Sequence, residues 1–283
     1  MSGTLFVVAT PIGNLEDITI RALRVLRDVS LIAAEDTRRT AGLLAHHGLS
    51  TPTTSFHAHN ARTRTPQLLR TLQTGASIAL VTDAGTPGVS DPGVELVAAC
   101  VEAGIAVDPI PGVSAPLTAA IASGFSLNSL TILGFAPSRS TDRIRFLWKV
   151  SELEGTVSFF ETPHRIRETL TEARDILVER PIMVGRELTK VHQEFLRGTA
   201  DSVLSRLHDP KGEFTIVVAP ASTSSNPMVL PDDATIAQEF GRITEIITGG
   251  RREAVSAVAR RYGRSTREIY AAIERAKKSG EQP

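Results

Sequence analysis

The stretch Val81-Thr-Asp-Ala-Gly-Thr-Pro-Gly-Val-Ser-Asp-Pro-Gly93 decides how the rest of the chain is read. It follows the aliphatic run Ser77-Ile-Ala-Leu-Val81 and precedes an apolar-periodic stretch from about Gly93 to Ala103. A strand running into a Gly/Pro loop that opens a helix marks the place where α/β sheets bind ligands, at the carboxyl ends of their strands. Gly85, Gly88 and Gly93, with Pro87 and Pro92, set an irregular path and let the backbone approach a ligand closely. Asp83 and Asp91 supply acceptors for hydroxyl or ammonium groups. A purely structural turn is the competing reading of the same residues.

Working outward, strand-length apolar runs alternate with amphipathic stretches of helix length. Leu5–Ala9 reads as a buried strand and Ile18–Leu26 as a helix, capped by Asn14 with Asp17 three residues on. Leu31–Ala34 is the next strand, Arg38–His46 the next helix, and Ile105–Pro109 and Leu130–Leu133 close the first half. This rhythm predicts a mostly parallel sheet covered on both faces. Beyond it, Thr156–Phe160, Ile182–Gly185, Val191–Arg197 and Glu213–Ala219 read as strands. Helices at about Arg165–Val178 and Asp201–Leu207 lie between them, which suggests a mixed α/β domain. Pro111, Gly112, Gly134 and Pro137 punctuate the junction, giving an N-terminal α/β domain over 1–120 and a second over 121–220. The Pro- and Ser-rich residues 220–227 place a linker at 221–234. A helical extension over 235–283 follows, with short helices at Ala254–Ala259 and Thr266–Ala276 and a capping box formed by Ser265 and Glu268.

Apolar residues make up 41% of the chain and aromatics only 5%, which favours aliphatic α/β packing. Lys plus Arg equals Asp plus Glu at 31 each, so net charge names no partner. The distribution does more: residues 242–278 hold ten Lys/Arg against four Asp/Glu, as polyanion-binding segments do and as a solvated helical hairpin also can. Cys100 is the only cysteine, which rules out an intrachain disulfide, and its apolar neighbours make it a core residue. With no secretory signal pattern and no run of about 18 apolar residues, a cytoplasmic protein without membrane contact is expected.

Five further polar loops stand at strand ends: Ala9–Leu15, Ala34–Thr40, Ile110–Pro116 and, in the second half, Phe159–Arg165 and Gly185–Lys190. Together they predict one cleft between two α/β domains. Only Gly13 is present where a dinucleotide fold needs G-x-G-x-x-G, and there is no P-loop, so NAD or ATP binding is unsupported. No metal site is expected: His57 and His59 share a face of an extended segment without a third ligand, and His46 and His47 diverge on a helix. No G-x-S-x-G elbow occurs to support a serine hydrolase.

The strings Ala9-Thr-Pro-Ile-Gly-Asn-Leu-Glu-Asp-Ile-Thr19, Glu35-Asp-Thr-Arg-Arg-Thr40, Asp83 to Gly93, Pro111-Gly-Val-Ser-Ala-Pro116 and Phe159 to Arg165 occur in one order. They resemble the small-subunit ribosomal RNA methyltransferase branch of the tetrapyrrole methylase superfamily, over about residues 4–220. Phe160 and Thr162 stand where that branch usually has Tyr and Ser, and Gln193 precedes Glu194 where it commonly has paired glutamates. The resemblance implies two α/β domains with an interdomain cleft, plus a C-terminal helical extension. It implies methyl transfer from S-adenosylmethionine to the ribose 2′-hydroxyl of a cytidine in 16S rRNA near the decoding centre, within the 30S subunit, by a homodimer. Methylation of a tetrapyrrole precursor and a non-catalytic rRNA-binding assembly factor are the alternatives.

Under that resemblance Pro11, Asp83, Ala84, Gly85, Thr86, Pro87, Pro111, Gly112 and Ser114 are expected to hold the cofactor. Asn14, Arg38, Arg39, Arg165 and Lys190 are expected to face the RNA. Glu35, Asp36, Glu161 and His164 are the candidate bases, and nothing in the sequence chooses among them.

Overall fold

The computed structural model describes residues 2–89, 91–208, 210–221, 232–246, 250–262 and 264–280. Ser90 and residues 222–231 of the expected linker lie outside them. The first five strands are β1 (Thr4–Val8), β2 (Leu31–Ala34), β3 (Thr53–Ser55), β4 (Ile78–Val81) and β5 (Ala106–Ile110). They form one parallel sheet in the order β3-β2-β4-β1-β5. All four residues of β4 are buried, as a strand covered on both faces requires. Pro109 is accommodated because β5 is an edge strand, where a missing N–H breaks no ladder on its open side.

The helices α1 (Ile20–Asp28) and α2 (Thr37–His46) cover one face, and α3 (Ala61–Gln73) and α4 (Val94–Glu102) the other. In α1 the buried residues Ala22, Val25 and Leu26 follow helical spacing. Thr19 is its cap, its hydroxyl accepting from the Ala22 N–H at 3.0 Å. Asn14 instead caps a separate 3-10 turn over Leu15–Asp17. The pair β3 and α3 left little trace in the sequence, because β3 is three polar residues and α3 carries Pro66 and few apolar positions.

The second sheet is built from β6 (Leu130–Phe135), β7 (Thr156–Glu161), β8 (Ile182–Arg186), β9 (Glu194–Gly198) and β10 (Phe214–Val218), ordered β6-β7-β10-β8-β9. Only the β6–β7 pair is parallel. Leu130–Leu133, which closes the strand rhythm of the first half but lies past residue 120, belongs to this second sheet. The helix Ser140–Glu152 (α6), not among the elements expected from the sequence, covers the sheet together with α7 (Ile166–Leu177). Between the sheets runs α5 (Ala115–Ser123), whose Ala119 and Ala120 pack with Met183 and Val217 of the second sheet and with Ile12 of the loop after β1. After α8 (Ala200–Arg206), three helices end the described chain: α9 (Asp233–Ile246), α10 (Gly250–Arg261) and α11 (Thr266–Gly280). Their Ile236, Ile243, Val255, Val258, Ile269 and Ile273 join the core of the second sheet. Ser265 and Glu268 bond reciprocally at the start of α11, at 2.8 and 3.3 Å. No described helix is long and apolar enough to cross a membrane.

Candidate active site

In the order β3-β2-β4-β1-β5, the connection from β1 leaves toward β2 and that from β4 leaves toward β5. Their carboxyl ends therefore flank a crevice at the switch point of the sheet. The two loops are stitched across it: the Thr10 and Gly85 amides each donate to the other's carbonyl at 2.9 Å, and the Thr10 hydroxyl donates to the Thr82 carbonyl at 3.1 Å. Gly85 has a φ of 80°, a left-handed conformation that an L side chain resists. The Thr86 hydroxyl donates to the Val113 carbonyl at 3.0 Å, which ties in the loop after β5. A Cβ at Gly112 would stand 2.9 Å from the Ala9 Cβ, so these loops lie backbone to backbone.

The end of β2 is joined to the same loop by a pair of exchanged bonds. The Asp83 N–H donates to Glu35 Oε2 at 3.2 Å, and the Asp36 N–H donates to Asp83 Oδ1 at 3.0 Å. Arg39 pairs with Asp83 Oδ2 at 3.5 Å. Asp36 caps α2 and is gripped by Arg38 through two side-chain bonds of 3.1 and 2.8 Å. The Arg38 guanidinium and amide together hold its carboxyl far below the usual carboxylate range, a poor setting for a proton acceptor.

Across the crevice, Glu161 ends β7 with its side chain fully buried. Oε1 accepts from the Thr162 N–H at 2.7 Å and pairs with Arg165 at 2.8 Å, and Oε2 accepts from the Thr169 hydroxyl at 2.6 Å. This carboxylate binds the loop to helix α7. Lys190 bridges Glu187 and Glu213 at 2.9 and 3.0 Å. Burial acts to lower its pKa, but the bonds to these carboxylates outweigh burial and raise it. Glu187 and Thr189 both adopt positive φ, at 48° and 65°, so this turn is strained and held by its contacts.

One of those contacts reaches the other half. The Asn14 N–H donates to the Thr189 hydroxyl at 3.0 Å. A Cβ on Gly13 would meet Lys190 Cγ at 2.5 Å, Thr189 Oγ1 at 2.7 Å and the Leu188 carbonyl oxygen at 2.9 Å. The flexible lysine stem can yield, but the backbone oxygen cannot without moving the strained turn. Gly13→Ala is therefore expected to destabilise by about 1–3 kcal/mol, the usual cost of overpacking, measured by thermal unfolding. An unchanged Tm would show that the two loops are not held in contact.

Between the halves lies a cavity of about 460 Å³, within the roughly 300–1,000 Å³ typical of small-molecule sites. Asp83, Ala84, Gly85, Thr86 and Ser114 line one side, with Glu35 and Arg39 at its edge. Glu161 faces it from the second half. Pro11, Arg39 and Lys190 line a neighbouring hollow of about 450 Å³. The other expected residues sit outside both linings. Gly112 packs on Ala9, Pro111, Asn14 and His164 are exposed, Pro87 lies beside Gly93, and Arg165 is spent on Glu161. Arg38 is largely in solvent while bonded to Asp36.

Several lining residues were not assigned from the sequence. Phe135 and Phe160 stack obliquely, ring centroids 5.1 Å apart, and with Leu188 and Phe214 form an apolar far wall. Their positions at strand ends were visible; that they converge on the first domain was not. Asp91, noted only as a possible acceptor, also lines the cavity. Burial, reinforced by the nearby charges of Glu35 and Asp83, pushes its carboxyl up to about 6. The arrangement suits an organic ligand with a flat apolar ring and a cationic group, held by close backbone on one side and aromatic rings on the other. Among the described residues, no group of three His, Cys, Asp or Glu is placed to hold a metal ion.

The family model of the tetrapyrrole (corrin/porphyrin) methylases matches residues 4–204. A ribosomal RNA small subunit methyltransferase I from Synechocystis is 48% identical over 228 residues, covering 80% of this chain and 82% of its own. The protein of that name from Streptococcus pyogenes is 39% identical over 272 residues, covering 95% and 94%. A uroporphyrin-III C-methyl transferase from Thermus thermophilus, solved with S-adenyl homocysteine, shares the fold with a TM-score of 0.55 at 15% identity, covering 77% of this chain and 97% of its own.

Proposed function

The chain belongs to the tetrapyrrole methylases and, within them, to the ribosomal RNA small subunit methyltransferase I family, and on that premise we propose that it methylates the ribose 2′-hydroxyl of a cytidine in 16S rRNA near the decoding centre, using S-adenosylmethionine. The observation that carries the reading is the cavity at the switch point, closed by both halves. Its dimensions, the close backbone at Gly85 and the facing carboxylates fit a sulfonium cofactor with an adenine ring. Asp83 to Thr86 and Ser114 would hold it against Phe135 and Phe160. When bound, it supplies an electrophilic methyl carbon on a positively charged sulfur.

The chain's own part is alignment and exclusion of water. Holding the acceptor oxygen, methyl carbon and sulfur in line can lower the barrier by several kcal/mol, up to about 7–11 in the best intramolecular models. The hollow beside the cavity, bounded by the loop after β1, Arg39 and Lys190, is the proposed approach for the RNA. Exposed Arg38 is suited to a phosphate contact. The relatives' substrate also supports a cytoplasmic setting, and a homodimer is proposed from the family resemblance.

The test is transfer of labelled methyl groups from S-adenosylmethionine to unmodified 30S subunits, naked 16S rRNA and a tetrapyrrole precursor, with the modified nucleotide mapped. Label on a cytidine ribose of the RNA is expected. Label on the tetrapyrrole alone would overturn the rRNA reading, and cofactor binding without any transfer would favour an assembly factor.

A further inference from the structure

We infer that Asp91 is the base that takes the proton from the acceptor hydroxyl as the methyl group is transferred. The inference rests on the methyl-transfer reading above and concerns a residue outside the four bases expected from the sequence.

Five carboxylates line the cavity: Glu35, Asp83, Asp91, Glu161 and Glu213. Glu161 is consumed by Thr162, Arg165 and Thr169, and Glu213 pairs with Lys190. Asp83 accepts from the Asp36 amide and pairs with Arg39, while Glu35 accepts from the Asp83 amide. Each of the four builds the site. Asp91 makes no ion pair and no hydrogen bond of normal geometry among the described residues. The Thr82 hydroxyl, buried and likewise without a partner of normal geometry, lies close enough to favour the charged carboxylate.

The chain that follows Asp91 is restrained. Pro92 restricts the chain after it, and Gly93, at a φ of 137°, opens α4 with a Cβ position only 2.8 Å from Leu80 Cδ2, so the backbone lies against β4. A base must be held in this way to meet its proton. Charged groups face it from both sides: Glu35 and Asp83 with Arg39 on its own half, Glu161 with Arg165 and Glu213 with Lys190 across the cavity. Burial and the two near carboxylates leave it titrating at about 6, close enough to neutrality for proton transfer yet mostly ionised above pH 7.

The step balances without another reactant. The ribose oxygen bonds to the methyl carbon, the carbon–sulfur bond breaks with its electron pair retained by sulfur, and the hydroxyl proton passes to the Asp91 carboxylate. Water takes that proton once the product leaves.

The experiment compares wild type, Asp91→Asn and Asp91→Glu on unmodified 30S subunits. It measures kcat/KM from pH 5 to 9, S-adenosylmethionine affinity by calorimetry, and Tm at pH 4 and 7.5. In wild type the rate is expected to fall about tenfold per pH unit below the Asp91 pKa. Asp91→Asn is expected to lose about 10²–10⁴-fold in rate and the acidic limb with it, while cofactor affinity falls far less than the rate; Asp91→Glu should restore part of the rate and of the limb. Stability supplies a readout independent of turnover. The folded chain binds the Asp91 proton more tightly than the unfolded chain, whose Asp titrates near 3.8. The stability that this proton contributes is thus lost as pH rises from about 4 to 6 and stays lost above. Asp91→Asn should accordingly raise Tm at pH 7.5 and leave it unchanged at pH 4. Loss of cofactor affinity matching the loss of rate, or an acidic limb that persists in Asp91→Asn, overturns the assignment. An inactive wild type refutes the rRNA reading instead, whereas an active wild type with an equally active Asp91→Asn refutes the base alone.

Discussion

Glu161→Ala is expected to lose about 3–5 kcal/mol of folding stability, the cost of breaking a buried ion pair from one side. The side chain is wholly inaccessible, whereas that of Arg165 is about one-quarter exposed. Removing the carboxylate strands the Arg165 guanidinium, the Thr162 amide and the buried Thr169 hydroxyl together. Each loses a charged acceptor; Arg165 keeps its 3.4 Å bond to the Ala136 carbonyl, and water reaches it only partly. In a chain of this size the loss corresponds to a fall in Tm on the order of 10 °C. Glu161→Gln keeps an acceptor oxygen but not the charge and should lie between the two. Equal Tm for wild type and Glu161→Ala would mean that Glu161 does not anchor the loop after β7 and is open for another role.

The second large effect is on binding. Asp83→Ala should weaken S-adenosylmethionine by about ten- to a hundredfold in calorimetry, because hydrogen bonds to charged groups are worth about 1.5–3 kcal/mol each. Asp83 joins the end of β4 to the end of β2 through the Asp36 amide and restrains Arg39 at the cavity edge. Without it the proposed cofactor wall loses both a carboxylate and the tie that sets its shape. Asp83→Asn retains an acceptor for the Asp36 N–H and should lose less. Undiminished affinity in Asp83→Ala would place the cofactor elsewhere.

Much of the fold could be read along the chain. Leu31–Ala34 and Ile78–Val81 are strands because short aliphatic runs have to be buried on both faces, and the capping box at Ser265 forms from two side chains three residues apart. Elements with weak patterns were lost: β3 is too short and polar to show a period, and its place is set by pairing with β2. Asn14 was a reasonable cap, but Thr19 stood closer to the apolar face and capped α1.

What the sequence determined by itself was the set of loops, the glycines and prolines that let backbone approach a ligand, the two-part α/β plan and the family, since all of these rest on local order along the chain. The tertiary structure decided which charged residues pair with one another around the crevice. Asp36 meets Asp83 across 47 residues, and Asn14 meets Thr189 across 175. A carboxylate's role depends on its through-space donors and its burial, and neither is a property of its neighbours in sequence. For this reason Glu161 and Asp36, two of the four candidate bases expected from the sequence, are tied to Arg165 and Arg38, while Asp91 lines the cavity.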